Sequence, residues 1–170
     1  MNLRLAQPAD AAALARLGRE SFVAKFGAMY APDDLAAFLA QAYADAAVAA
    51  ELARPDIVCC LADAGDSLAG YCKLALKCGW PEFTRGAGAI ELKQLYTDPA
   101  MTGQGIGASL IDWAIGEARS HGADEIQLSV WSGNEGAQRF YARYGFVKVG
   151  ETTFLVGNHV DEEFVFAALI

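Results

Sequence analysis

Hydrophobic and polar positions recur with two different periods, and the period predicts where helices and strands lie. Two segments in the first third of the chain carry apolar residues three and four positions apart, which is typical of amphipathic helices. The first begins after Pro8, with Asp10 as the expected N-cap, and the second begins at Pro32. A shorter helical piece is expected over residues 46–53, where it ends before Pro55.

Beyond residue 55 the pattern changes to buried or alternating runs, which are typical of strands. Two more helices are expected, one over residues 106–121 that stops at Gly122 and one after Asn134 that stops at Gly145. The predicted element order is β-α-α-β-β-β-α-β-α-β-β, which favours one α/β sheet flanked by helices. The predicted strands are NLRLAQ, DIVCCLAD, SLAGYCKLAL, AIELKQLYT, EIQLSV, FVKVGETTFLV and EEFVFAAL.

Length and composition favour one compact unit. The chain has 170 residues, of which 54% are hydrophobic and 20% are charged, so it can bury a core and does not resemble a disordered protein. No repeat or linker divides it, and residues 1–170 are expected to form a single domain. No apolar run approaches the ~18 residues of a membrane span, and residues 1–6 lack a signal-peptide pattern, so a cytoplasmic protein is expected.

Cysteine spacing and charge exclude several classes of site. Cys59, Cys60, Cys72 and Cys78 form no CxxC pair, and the chain has only two histidines. Neither a metal site nor a disulfide framework is expected, and the thiols are interpreted as buried and reduced. The net charge of −8 disfavours nucleic acid as a partner and favours cationic ligands.

Three glycines directly before a predicted helix are the most specific local feature. Gly103, Gly105 and Gly107 allow backbone N–H groups to approach a ligand closely, and the positive end of the following helix favours an anion such as phosphate. A Walker loop would need a lysine that is missing here, and a dinucleotide fingerprint would have a different glycine spacing. A glycine-rich connection without a ligand is the alternative.

The context of these glycines resembles the GNAT acetyltransferases. The segment LKQLYTDPAMTGQGIGASLIDWAI is similar to that family's acetyl-CoA motif, a strand and turn followed by R/Q-x-x-G-x-G/A, with Gly105 and Gly107 on its glycines. The segment LSVWSGNEGAQRFYARYGF is similar to the family's second signature. The resemblance spans the chain and implies a mixed, mostly antiparallel sheet of about seven strands and acetyl transfer from acetyl-CoA (coenzyme A, with no metal) to an amine.

The resemblance also implies which residues hold the cofactor. The strand at 95–97 would pair with the pantetheine arm, and a main-chain N–H of Leu95 or Tyr96 would polarise the thioester carbonyl. Thr102 departs from the family, which has Arg or Gln there, while Asn134 either caps its helix or contacts the arm. The implied cofactor-binding residues are Leu95, Tyr96, Thr97, Thr102, Gly103, Gln104, Gly105, Ile106, Gly107, Ala108 and Asn134.

Two side chains receive catalytic roles through the same resemblance. Tyr141 matches the family's tyrosine that protonates the departing thiolate, with a core aromatic as its alternative role. An alkyl amine arrives protonated, since its pKa is about 10.4, and must lose a proton before attack. Glu91 lies where similar proteins place a carboxylate base, often acting through water, and its alternative is an ordinary solvated strand residue.

The acceptor is expected to be a cationic amine. The segments ESFVAKFGAMYAPDDLAAFLAQAY and TTFLVGNHVDEEFVF resemble the bacterial spermidine/spermine acetyltransferase branch, in which aromatic and acidic residues surround the amine. Glu20, Asp33, Asp34 and Glu91 are candidate partners for ammonium groups; helix capping and solvated faces are the alternative. Of the three tryptophans, only Trp80 lies in a loop that could line the acceptor pocket.

Two other functions compete with a polyamine or small-amine acetyltransferase. One is acetylation of a peptide at its N-terminus or at a lysine, and the other is a non-catalytic module that senses acetyl-CoA. Homodimers are common among similar proteins, so a homodimer is among the expected assemblies, while nucleic acid and membranes are not expected partners.

Overall fold

A computed structural model describes residues 1–170 as one seven-stranded sheet flanked by five α-helices. The strands are β1 (Asn2–Leu5), β2 (Ile57–Asp63), β3 (Leu68–Ala75), β4 (Ala89–Thr97), β5 (Glu125–Trp131), β6 (Val147–Val156) and β7 (His159–Leu169). The helices are α1 (Ala11–Phe26), α2 (Pro32–Ala42), α3 (Asp45–Leu52), α4 (Ile106–Ser120) and α5 (Glu135–Ala142).

The strands lie side by side in the order β1-β2-β3-β4-β5-β7-β6. Only β4 and β5 are parallel, and every other neighbouring pair is antiparallel. The expected mixed, mostly antiparallel sheet is therefore confirmed. The short helical piece expected at 46–53 is a separate helix, α3, so the observed order has one more helix than the predicted one.

A bulge in β4 opens the middle of the sheet. Lys73 on β3 pairs with Gln94, whereas the next residue, Leu74, pairs with Leu92, so Lys93 is an extra residue in β4. A bulged strand bends and twists away from its neighbour. The pairing of β4 with β5 ends at Glu91, just before the bulge. The two strands therefore separate beyond this point and leave a gap in the centre of the sheet.

Helices cover both faces of the sheet, and alternation along the strands supplies a core to each. Cys72 and Leu74 of β3 belong to the main core, which packs α4 against the sheet. Tyr71, directly before Cys72, points to the opposite face, where it packs with Leu14 of α1 and Val48 of α3. Helices therefore lie on both faces of the sheet around the gap between β4 and β5.

Helix ends follow the predicted signals fully at α4 and only in part at α1. Gly105 precedes α4 and Gly122 follows it, and both have positive φ angles, 77° and 76°. Asp10 occupies the predicted N-cap position of α1, but its side chain makes no cap hydrogen bond to that helix. Its carboxylate instead accepts from the N–H of Gln7 at 2.7 Å and from Arg4 at 2.7 Å. A 3-10 turn precedes α1 and draws Asp10 back towards Gln7.

No single helix is long and apolar enough to cross a membrane. Taken together, α2 and α3 meet the length and composition of a span, but they are bent by 41° at the break between them.

Candidate active site

The gap between β4 and β5 holds a cleft with two connected chambers. The outer chamber lies between the end of α1 and the segment after β4, where Ser21 and Thr102 line it. The inner chamber lies deeper, between α2 and the strands β5 and β7, where Phe38 and Glu163 line it. Both chambers share part of their lining, namely Phe26, Leu95, Tyr96, Asn134 and Ala137.

The glycine loop beside the outer chamber presents a row of unpaired backbone donors. None of the N–H groups of residues 102–108 donates to a backbone carbonyl, and the first such bond of α4 is that from Ser109 to Gly105 at 3.0 Å. Gly103 and Gly105 have φ angles of 78° and 77°, and a Cβ at either position would meet no atom within 4 Å. Unpaired amides at the positive end of a 15-residue helix suit an anion such as a diphosphate.

Packing fixes this loop to the rest of the cleft. Ile106 is 3% exposed and belongs to the main core. A Cβ at Gly107 would lie 3.6 Å from the ring of Phe140 and 3.8 Å from Leu95, so α4, α5 and β4 approach closely here. Thr102 lines the outer chamber, whereas Gln104 is exposed and Ala108 is partly buried.

Asn134 stands where both chambers meet. Its side-chain oxygen accepts from the N–H of Ala137 at 3.2 Å, which confirms the predicted cap of α5. Since Asn134 also lines both chambers, the cap does not remove it from the cleft.

The inner chamber is aromatic. It encloses about 170 Å³, and its rings pack closely, with the centroids of Phe22 and Phe38 4.6 Å apart. Aromatic faces in a desolvated pocket attract cations. The aromatic lining residues are Phe22, Phe26, Tyr30, Phe38, Tyr43, Tyr96, Trp131, Tyr141 and Phe154.

Two carboxylates from β7 enter this aromatic chamber. Asp161 is 5% exposed and accepts hydrogen bonds from the Tyr30 hydroxyl at 2.5 Å and from His159 at 3.1 Å. Glu163 is partly buried, and its Oε2 is fully buried with no hydrogen-bond partner. Burial raises the pKa of the Glu163 carboxyl, and the neighbouring Ser129 hydroxyl offsets part of that shift.

Tyr141 reaches the inner chamber from α5. The residue is 8% exposed, and its ring packs against Phe140 and Phe146 at centroid distances of 5.2 and 5.6 Å. Burial raises the pKa of its phenol well above the ordinary value, so the hydroxyl keeps its proton at neutral pH. The structure thus places this residue both in the core and in the wall of the cleft, and its role as an acid stays a prediction.

Glu91 lies at the last pair before the gap and lines neither chamber. It is opposite Gln127 on β5, and a Cβ at Gly79 would lie 3.2 Å from its Oε2. Gln127 also holds the loop between β3 and β4, because its side chain accepts from the N–H of Trp80 and donates to the carbonyl of Trp80, both at 3.0 Å. Burial raises the pKa of the Glu91 carboxyl. Its role as a base stays a prediction, and from this position it would need a water relay.

The structure brings none of the other predicted ammonium partners into the cleft. Glu20 and Asp33 are exposed. The carboxylate of Asp34 accepts from the N–H of Asn158 at 2.8 Å, which ties α2 to the turn between β6 and β7. Trp80 is also outside both chambers, because its backbone is held by Gln127.

The two acidic residues that do line the inner chamber were not singled out from the sequence. Asp161 and Glu163 alternate with Val160 and Glu162 in the segment HVDEEF, so they share one face of β7. Trp131 was expected only to pack, yet it lines the inner chamber opposite Glu163. The sequence shows that Asp161 and Glu163 share one face of β7. It does not show that this face points into the cleft.

Comparisons with known proteins agree with this geometry. A profile described as "Acetyltransferase (GNAT) family" matches residues 20–146. An uncharacterized N-acetyltransferase of Mycobacterium tuberculosis is 31% identical over 157 residues, which cover 92% of this chain and 95% of that protein. Another, from Lactobacillus delbrueckii subsp. lactis, is 28% identical over 149 residues, which cover 88% of this chain and 86% of that protein.

A solved structure has the same fold over its full length. It is the PaiA N-acetyltransferase from Thermoplasma acidophilum in complex with coenzyme A, with a TM-score of 0.78, 21% identity and 100% coverage of both chains. The family profile covers most of the present chain, and the parted strands and glycine loop lie within it. The chain therefore belongs to the acetyltransferase (GNAT) family and is an acetyl-CoA-dependent N-acetyltransferase.

Proposed function

We propose that this enzyme acetylates a small aliphatic amine, with a diamine or polyamine as the favoured acceptor. The observation that carries the proposal is the inner chamber itself, an aromatic pocket with two carboxylates and no basic side chain apart from Lys93 among its lining residues. Aromatic faces and carboxylates together favour a desolvated ammonium group over a neutral or anionic ligand.

The spacing of the two carboxylates favours an acceptor with more than one ammonium group. Asp161 and Glu163 are two residues apart on one strand, which separates their Cα atoms by about 7 Å. A short alkyl chain with an amine at each end matches such a separation. The enclosed volume of about 170 Å³ also suits a slender alkyl chain better than a peptide.

The outer chamber is the proposed site of acetyl-CoA, supported by the unpaired amides of residues 102–108 and by the coenzyme A complex of the Thermoplasma relative. The acetyl thioester would point through the gap towards the inner chamber. Of the two main-chain donors predicted for the carbonyl, Leu95 is favoured. The N–H of Asp98 donates to Ala69 of β3 at 2.8 Å, so alternation directs the N–H of Tyr96 towards β3 and that of Leu95 towards the gap.

Tyr141 is the proposed acid for the leaving sulfur. Its hydroxyl is neutral, and the residue lines the inner chamber, whose lining also includes Ala137 and Asn134 from the part shared with the outer chamber. A thiolate whose acid has a pKa of about 8.5 takes a proton from a phenol only when the two are held close together. The raised pKa of Tyr141 makes this positioning more important, because it weakens the acid.

An acceptor panel tests the proposal. Wild-type protein with acetyl-CoA would be assayed for free-thiol release with putrescine, spermidine, spermine, a lysine peptide and a peptide with a free N-terminus. We expect kcat/KM for at least one diamine or polyamine to exceed that of both peptides by about tenfold or more. A preference for a peptide would contradict the proposed acceptor. Tight cofactor binding without turnover of any amine would favour the sensor module.

A further inference from the structure

We propose that Glu163 of β7 is the catalytic residue that receives the ammonium group of the acceptor and removes its proton. This role rests on the proposed amine acceptor and names the base of the same site. The proposed roles of Tyr141 and of the glycine loop are unchanged. The proposed base is Glu163 and not Glu91, the base that the family resemblance implies.

Glu163, the proposed base, and Tyr141, the proposed acid, lie on opposite faces of the sheet. Glu163 lies opposite Trp131, so both side chains enter the chamber from the face that α1 and α2 cover. Val130, between Ser129 and Trp131, points the other way into the main core, which also contains Tyr141. Glu163 and Tyr141 therefore meet the same chamber from opposite faces, through the gap where β4 has left β5.

This arrangement matches the two ends of the reaction. The amine must approach the thioester carbonyl from a side that the coenzyme does not occupy. The coenzyme is proposed to enter from the outer chamber, and the sulfur would leave towards Tyr141. The incoming amine would therefore come from the aromatic side, where Glu163 and Asp161 lie.

The free oxygen distinguishes Glu163 from the other acidic residues near the site. Asp161 already accepts hydrogen bonds from Tyr30 and His159 on both of its oxygens. Glu163 Oε2 is buried and accepts no hydrogen bond, so it has an unused site for an ammonium proton. A buried carboxylate oxygen without a donor is costly, which is a reason to expect a cationic ligand at Oε2.

The proton balance is complete without another reactant. An N–H bond of the ammonium group breaks and Glu163 takes that proton. The nitrogen lone pair then forms the bond to the acetyl carbon, and the carbon–sulfur bond breaks with its electron pair on sulfur. Tyr141 protonates the sulfur and regains a proton from the new amide nitrogen, while Glu163 releases its proton to solvent.

The expected pH dependence follows from the ionised form of Glu163. The carboxyl accepts a proton only above its pKa, which burial raises, so turnover should rise with pH through that raised value. The titratable groups that line the inner chamber with Glu163 are Tyr30, Tyr43, Lys93, Tyr96, Tyr141 and Asp161, and His159 contacts Asp161. Because several groups titrate around Glu163, the limb is assigned to it by the variants below and not by its position on the pH scale.

The test is the isosteric variant Glu163→Gln, assayed with the best amine of the acceptor panel across pH. We expect kcat to fall by about 100-fold, the acidic limb of the profile to disappear, and the Kd of acetyl-CoA to stay unchanged. Glu162→Gln is the matched control, because it makes the same change one residue away on an exposed position of the same strand. It should retain wild-type kinetics.

Glu91→Gln separates the two candidate bases. If that variant loses the acidic limb while Glu163→Gln keeps it, the role of Glu163 is refuted and the amine acceptor stands. If wild-type protein acetylates no amine, the proposed acceptor and the role of Glu163 both fall.

Carbon NMR of the glutamate carboxyls gives a readout that is independent of turnover, with the Glu163 signal assigned by its loss in Glu163→Gln. The signal should titrate above the ordinary value of about 4.3 and should shift when spermidine is added. An ordinary pKa and no response to spermidine would also overturn the role.

Discussion

The two chambers of the cleft are built in different ways. The donors beside the outer chamber come from seven consecutive residues, 102–108, and from the backbone alone. The inner chamber takes its walls from side chains on α1, α2, α5 and four strands, spread from Phe22 to Glu163. The proposed diphosphate site is thus a local backbone feature, whereas the proposed acceptor site is built from side chains of distant parts of the chain.

This difference predicts that the two chambers respond to different substitutions. The backbone amides of the loop require only glycine at two positive-φ positions, Gly103 and Gly105, and place few demands on other residues. The inner chamber can change through any of its side chains without moving the loop. We therefore expect substitutions in the inner chamber to alter acceptor kinetics and substitutions in the loop to alter cofactor affinity.

The largest effect that tests this separation is expected at Tyr141, which lines the inner chamber. Tyr141→Phe should lower kcat by at least about tenfold, because the sulfur loses its proton donor. The Kd of acetyl-CoA should remain within about twofold of wild type, since the phenyl ring keeps its packing against Phe140 and Phe146. Steady-state kinetics and calorimetry measure the two quantities.

Tyr144→Phe is the control for Tyr141→Phe. Tyr144 packs on the same core and against Phe140, but it lines neither chamber. It should leave kcat unchanged. Equal kcat for wild type and Tyr141→Phe would exclude the acid role and leave Tyr141 as a core aromatic.

Sequence information was sufficient for the strands of the sheet and for the glycine loop, because each depends on a short pattern. The period of two located β4 over Ala89–Thr97, and the glycines located the start of α4. The gap itself was not predictable, since it arises from one bulged residue, Lys93, in an otherwise regular run. Asp161 and Glu163 were missed for a related reason: alternation identifies residues that share a face, but tertiary packing decides which face meets the cleft.

Loss of the Asp161 charge in the inner chamber should have a smaller effect than Tyr141→Phe, and it should change only the kinetics of the acceptor. Asp161→Asn keeps the size of the side chain and can still accept from Tyr30, but it removes one negative charge. A hydrogen bond to a charged group contributes ~1.5 kcal/mol or more, so the KM for the best amine should rise by about tenfold. The Kd of acetyl-CoA should not change.

Asp33→Asn makes the same substitution on the exposed first turn of α2 and should leave the amine KM unaltered. The opposite ranking would mean that the sequence-based assignment of Asp33 was right and that Asp161 only supports Tyr30. Asp161→Asn and Asp33→Asn each lose one negative charge. A difference in amine KM between them therefore cannot come from the change in net charge.

The smallest effect is expected in the outer chamber at Thr102, where the family usually has Arg or Gln. Thr102→Arg adds a cation beside the unpaired amides of residues 102–108, and an exposed pair of charges contributes ~1 kcal/mol or less. The Kd of acetyl-CoA should therefore fall by about two- to fivefold in calorimetry at low salt, and the gain should shrink at high salt because exposed charges are screened.

Thr153→Arg adds the same charge on the exposed face of β6 and controls for the general reduction of the −8 net charge. If both variants bind acetyl-CoA equally tightly, the side chain at position 102 does not contact the coenzyme, and cofactor affinity depends on the backbone of the loop alone.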